Sequence, residues 1–109
     1  MLGSDIAQNA PIGIFVVDRN DNFTVFNKSM ESIYGLLADD VIGRNLLLTL
    51  PEQTLGKEGG LRELFLDSRT SLRQSSRDNM PVITPSKKLS YQSISLVPMV
   101  DESGAYDGM

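Results

Sequence analysis

The sequence contains no histidine, no cysteine and no tryptophan, and each absence closes off chemistry. Without histidine there is no imidazole general base, imidazole metal ligand or phospho-accepting imidazole. Without cysteine there is no thiol nucleophile, thiolate-held zinc or iron–sulfur cluster, disulfide or covalent flavin–thiol adduct. An oxygen-only metal site or a serine–lysine pair would survive these losses, but neither pattern is present. Asp39 and Asp40 are adjacent, so on a helix they diverge by about 100° and cannot flank one substrate. Asp101 and Glu102 fall in a turn, and Ser86-Lys87-Lys88 lacks the Ser-x-x-Lys spacing of that nucleophile pair. The expectation is a chain with no catalytic residues and no metal site.

Long apolar runs are also missing. The longest, Ile14–Val17 and Leu46–Leu48, fall far short of the roughly 20 residues of a spanning helix. The opening Met-Leu-Gly-Ser-Asp-Ile has neither the basic nor the apolar region of a secretory signal. A cytoplasmic domain without membrane insertion is expected, and the sequon Asn22-Phe23-Thr24 reads as a chance match. Basic charge is scarce as well: 10 Lys+Arg against 14 Asp+Glu give a net charge of −4. That balance argues against direct nucleic-acid binding, which calls for a positive excess. The basic residues concentrate between 56 and 88, where Arg69, Arg73 and Arg77 recur at i+4. On a continuous helix they would form a solvated stripe, or a carboxylate-binding group if one turned inward.

What is present fits one domain. A chain of 109 residues buries about two-thirds of its unfolded surface, enough for a single core. Residues 1–10 read as a polar lead-in or short helix, and 11–109 as the domain. Ile12–Val17 is rich in β-branched residues and meets the polar turn Asp18-Arg19-Asn20-Asp21-Asn22, after which Phe23–Phe26 returns as the second strand of a hairpin. Asn27 is a favoured helix cap, Met30, Ile33 and Tyr34 lie on one helical face, and Gly35 stands where a left-handed stop is needed. Short helical pieces follow, at Ala38–Val41 and from Ile42 to Leu48, then a glycine-punctuated loop. A helix is expected from about Leu61 to Leu72, on the apolar positions Leu61, Leu64, Phe65 and Leu72. Pro81–Thr84 and Leu89–Val100 read as strands, and Ala105–Met109 as the opening of a last one cut short. Strands flanking a block of helices make an α+β fold with an antiparallel sheet.

These pieces resemble the PAS sensory domains. The resemblance runs through Asn9-Ala10-Pro11-Ile12-Gly13-Ile14 into Val16-Val17-Asp18, then Phe23-Thr24-Val25-Phe26-Asn27 and the helix ending at Tyr34-Gly35. It continues in Leu37-Ala38-Asp39-Asp40-Val41-Ile42-Gly43-Arg44, and at the far end in Ser93–Met99 followed by Asp101-Glu102-Ser103-Gly104. Residues 52–88 match by layout alone, with a longer glycine-rich loop than is usual. The resemblance implies a five-stranded antiparallel sheet in the order 2-1-5-4-3, with helices covering one face. It implies an input module of a histidine kinase, cyclic-dinucleotide enzyme or transcription regulator, excised from a longer signalling protein that carries the effector domain. A homodimer is expected, through Leu2–Ala10 and an outer sheet face to which Phe15 and Val17 contribute.

Such domains hold haem, flavin or a small organic ligand between sheet and helices. Haem and covalent flavin are disfavoured here by the missing histidine and cysteine, leaving Met30, Met80 and Met99 as weak sulfur donors that ordinarily fill cores. A small organic ligand stays open. The candidate pocket is Asn27, Met30, Ile33, Tyr34, Phe65, Ile83, Tyr91 and Ser93, with Ile14, Val16, Val25, Leu47 and Leu64 also read as inward. Each polar member has a plainer role: Asn27 caps a helix, and Tyr34 is a core aromatic whose hydroxyl reaches water. The alternatives are a ligand-free dimerisation or interaction scaffold with its core plugged by Phe26, Tyr34, Phe65 and Tyr91, and an unrelated α+β binding module.

Overall fold

A computed structural model describes residues 12–109, so the expectations for residues 1–11, including their part in dimerisation, lie outside the described residues. The hairpin is present, with β1 (Phe15–Val17) antiparallel to β2 (Phe23–Phe26). Its turn is held by Asp18, whose Oδ1 accepts from the amides of Asn20 and Asn22 at 2.9 and 3.0 Å. This is the local side-chain bonding that makes aspartate a turn former. Helix α1 (Lys28–Tyr34) starts at Asn27, whose side chain accepts from the Met30 amide, and stops at Gly35 with φ 71°. Three single-turn helices follow, α2 (Ala38–Val41), α3 (Leu46–Thr49) and α4 (Glu52–Leu55). Asn45 caps α3 by accepting from Leu47 and Leu48 and donates back to the Asn20 carbonyl. Helix α5 (Leu61–Ser71) precedes β3 (Ser75–Ile83), β4 (Leu89–Leu96), β5 (Met99–Val100) and β6 (Tyr106–Gly108).

Several expectations need correction. Helix α5 ends at Ser71 because Leu72 takes the left-handed conformation, φ 58°. Arg73 therefore lies beyond the helix and Arg77 in β3, and no three-arginine stripe forms. Strand β3 begins six residues before Pro81, and Pro81 is tolerated because among the described residues β3 pairs with β4 alone. The long last strand breaks at Val97-Pro98, giving β4 and β5. Proline has no N–H for a ladder on that peptide.

The parity of β1 is the reverse of that expected. Val17 is fully buried and Phe15 packs against the core, edge-on to Phe23 at 5.8 Å. Ile14 and Val16 therefore turn to the outer face, since side chains alternate across a strand. A run that is apolar at every position carries no signal of which parity faces the core.

Among the described residues the strands form three two-stranded ladders, β1–β2, β3–β4 and β5–β6. Backbone bonds in both directions between Val17 and Met109, at 2.8 and 3.0 Å, tie β1 to the end of the chain. Gly108 permits that approach, because a Cβ there would run into the Val17 carbonyl. The core lies between strands and helices. It includes an edge-to-face series from Phe15 through Phe23 and Phe26 to Tyr34, with centroids 5.5–6.4 Å apart. Leu46, Leu55, Leu61, Leu64 and Phe65 close it from the helical side, each worth about 1.5–3 kcal/mol of burial.

Candidate functional site

A broad concavity lies within the sheet, where the sequence suggested a pocket between helices and sheet. A cleft of about 850 Å³ separates β1 and its lead-in, Ile12–Val16, from Ser90–Leu96 on β4 and the following Val97, with α1 contributing Met30, Ile33 and Tyr34. None of the residues lining it is charged. Its size and lining suit an apolar occupant with a few polar contacts.

Five of the eight candidate residues line the cleft and three do not. Met30, Ile33, Tyr34, Tyr91 and Ser93 line the cleft. Asn27 does not: its Oδ1 accepts from Ile14 and Met30 at 2.9 and 3.0 Å, and its Nδ2 donates to the Ile12 carbonyl at 2.8 Å. It caps α1 and stitches that helix to the β1 lead-in. Phe65 is fully buried in the core, and Ile83 is 42% exposed at the far end of β3. Tyr91, at 64% exposed, faces outward. Three of the four aromatics that would plug the interior, Phe26, Tyr34 and Phe65, therefore do point in, while the fourth does not. Gly13, Gln92, Ile94 and Leu96 complete the cleft and were missed. The signal for them was the parity of β4, set by buried Leu96, but apolar residues on both faces of Leu89–Val97 hid it.

Tyr34 is the buried polar group at the cleft. Its hydroxyl donates to Gln92 Oε1 at 3.2 Å, and burial pushes its pKa up to about 12, opposed in part by that bond. Because the folded value lies above the unfolded one near 10, stability is intact below pH 10 and falls as pH rises towards 12. The loss amounts to roughly 2–3 kcal/mol at about 1.4 kcal/mol per pH unit. Urea midpoints at pH 9 and pH 11.5 should show a steep drop for the native chain and a smaller one for Tyr34→Phe. Tyr106 titrates in the same direction, its hydroxyl held above the usual range by burial first and then by the Asp21 carboxylate.

A second polar cluster lies away from the cleft. Arg69 Nε donates to Asp21 Oδ2 at 2.9 Å, the Tyr106 hydroxyl donates to Asp21 Oδ1 at 2.7 Å, and the Arg69 guanidinium sits 4.4 Å over the Tyr106 ring. Helix α5 is thereby latched to the β1–β2 turn and to β6. Arg69 is engaged by the internal carboxylate of Asp21. Asp21→Asn keeps a residue tolerant of the left-handed φ of 64° at this position. It weakens both charge-assisted bonds and should lower stability by about 1–2 kcal/mol in urea denaturation.

For haem, the candidate side-chain sulfurs are those of Met30, Met80 and Met99. The chain has no imidazole or thiolate for an axial bond; Met30 and Met80 are buried in the core and Met99 is 43% exposed. Among the described residues no cluster of three or more carboxylates is placed to hold a metal ion, and no helix is long and apolar enough to cross a membrane.

Comparison with known proteins gives the family. The family model described as the PAS fold matches residues 2–105. No curated protein matches the sequence. Among solved structures, an RNA-binding light-oxygen-voltage receptor superposes with TM-score 0.76 at 18% identity over 98% of this chain. The match spans 31% of that receptor, so this chain corresponds to about a third of its length. The PAS domain of nitrogen regulation protein NR(II) from Vibrio parahaemolyticus superposes with TM-score 0.71 at 12% identity, over 99% of this chain and 94% of that one. At these identities the structures show a shared fold, and the family match carries the assignment: the chain belongs to the PAS fold family.

Proposed function

We propose that this chain is a non-catalytic input module of a signalling protein, and that it controls an effector through an occupant held against the uncharged lining where Met30, Ile33 and Tyr34 of α1 meet β4. The cleft carries this reading. The helix–sheet interior is packed, with Phe26, Leu46, Leu55 and Phe65 at most 2% exposed, while the uncharged cleft divides two separately bonded ladders. An occupant that binds one conformation of the module more tightly than another shifts the equilibrium between them by its differential affinity, which is all that signalling requires. Both structural neighbours bear names from sensing and regulation, which agrees with this role. The test is amide chemical-shift mapping of the purified chain against a panel of small apolar and amphipathic molecules, with native mass spectrometry to detect a co-purified one. The expected result is shifts centred on Ile14, Met30, Tyr34 and Ser93. Shifts confined to the outer faces of α2–α5 would refute the cleft as the receptive site.

A second reading, homodimerisation, is favoured by the outer face of β4. Leu89, Tyr91 and Val97 lie there on one parity, each more than half exposed, and monomers seldom leave such apolar surface contiguous. Sedimentation velocity should show a dimer that Tyr91→Glu converts to monomer. A chain that is monomeric at high concentration would remove this reading.

A further inference from the structure

We propose that the tip of the β3–β4 hairpin is a docking site for the surface of an anionic phospholipid bilayer, on which it rests without any segment crossing. The site goes beyond the cleft, since none of Ile83, Lys87, Lys88 and Leu89 lines that concavity. Three observations carry it. The first is the distribution of charge. The chain is acidic overall, yet between Asp78 and Asp101 its only charged residues are Lys87 and Lys88. Both are exposed, and the three ion pairs among the described residues, Arg19–Asp107, Arg62–Glu52 and Arg69–Asp21, include neither. Strand β4, roughly 24 Å long, separates this tip from the acidic Asp101-Glu102 turn. That is about three Debye lengths at physiological ionic strength. The acids that follow Gly35, Asp39 and Asp40, ride on α2, which packs on β2.

The second is the apolar surface beside the lysines. Ile83 pairs with Leu89 and Pro81 with Tyr91. Because Val82 and Thr84 are buried, these four share the outward face of the hairpin. Ile83, Leu89 and Tyr91 are each more than two-fifths exposed. Aliphatic side chains around a tyrosine, with cations at their edge, settle at the headgroup level of a bilayer. A hairpin tip is convex, which suits a yielding bilayer better than a protein that must supply a matching groove. A second copy centred on this tip would bring like charges together, whereas anionic headgroups neutralise them. The third observation is Lys87 itself. Its amide donates to the Thr84 carbonyl, the Thr84 amide donates to the Lys88 carbonyl, and Lys87 takes φ 67°. Hairpin loops ordinarily give that left-handed position to glycine. Lysine holds it at a conformational cost, and no ion pair among the described residues repays it. The tip is also braced. Thr84 Oγ1 lies 2.9 Å from Ser86 Oγ and accepts from the Lys88 amide at 3.2 Å. Ser86 in turn packs on Gly35, where a Cβ would sit 2.9 Å from the Ser86 Cβ. The lysines are thus carried on a fixed turn, with little backbone left to order on docking.

The test is cosedimentation of the 109-residue chain with vesicles of phosphatidylcholine and phosphatidylglycerol in equal parts, beside vesicles of phosphatidylcholine alone, with lipid in large excess. The expected result is association with the mixed vesicles only, weakening as salt is raised. Each lysine near such a surface is worth a factor of about five, so Lys87→Gly should lower the partition about fivefold, and Lys87→Gly with Lys88→Gln about twenty-five-fold. Because glycine suits the left-handed position, Lys87→Gly should leave the melting temperature unchanged or raise it. That separates lost docking from lost folding. Leu89→Ser should weaken association without changing its salt dependence. Equal association with the uncharged vesicles, undiminished association of the double variant, or no association at low salt would each overturn the inference. So would soluble polyglutamate that protects the Ser86–Leu89 amides in hydrogen exchange as well as the mixed vesicles do, since the tip would then belong to an acidic protein. A lipid-free dimer that protects the same amides would give the tip to a second copy and overturn it too.

Discussion

Replacing Phe65 with alanine should cost about 3–5 kcal/mol, the range for deleting a fully buried phenylalanine. The side chain is 0% exposed on α5 and packs among the residues that close the core from the helical side. A domain of this size holds about 5–15 kcal/mol in total, so the variant should sit near the edge of unfolding at 25 °C. Urea denaturation followed by circular dichroism measures this as a large fall in midpoint with little change in slope. Phe65→Leu, which keeps most of the volume, should lose far less. The pair separates two readings of Phe65: as the lining of an open ligand cavity its truncation would cost under about 1 kcal/mol, because the void would already exist.

Asn27→Ala should be next in size, at about 2–4 kcal/mol. A cap alone is worth about 1 kcal/mol, but this fully buried amide also accepts from Ile14 and donates to Ile12. Removing it leaves buried backbone groups unsatisfied, at roughly 1–3 kcal/mol. Asn27→Asp keeps the acceptor and gives up the donor, and should fall between the native chain and Asn27→Ala. Hydrogen exchange adds a local reading, with the Met30 and Ile14 amides losing protection together in Asn27→Ala. A loss of only about 1 kcal/mol, with Ile14 still protected, would reduce Asn27 to an ordinary helix cap.

These two residues show what the sequence made legible. Asn27 and Gly35 bracket α1 through backbone chemistry that works locally, and so do the Asp18–Asn22 turn and the placement of β2 after it. Such features depend on a few neighbouring residues, and the sequence displays them. Phe65 was placed correctly on a helix face, but whether that face met a cavity or a core depends on side chains far away in the chain. The parity of β1 and β4 was illegible for a related reason: Ile14–Val17 is apolar throughout, and β4 alternates between two faces that both carry apolar residues. Long-range pairing settles both, through Phe15 opposite Phe26 and Leu96 opposite Ser75. The Asp21–Arg69–Tyr106 latch spans 85 residues and had no local pattern to announce it. Arg69 looked like one member of a basic stripe until Leu72 ended the helix.

The cleft was missed because it is a property of the sheet and not of any residue. Met30, Tyr34 and Ser93 were chosen as the lining of an interior pocket. They meet instead at the gap between two ladders, with Gly13 and Leu96 completing it. Amide hydrogen exchange on the 109-residue chain, resolved by residue, tests that arrangement most directly. An open cleft predicts slow exchange at Val16 and Val25, which face each other inside the β1–β2 ladder, and fast exchange at Gly13 and Phe15, whose peptide groups face the gap. Slow exchange at Phe15 equal to that at Val16, in the monomeric chain with nothing bound, would contradict that arrangement, because the two halves of the sheet would then already be joined.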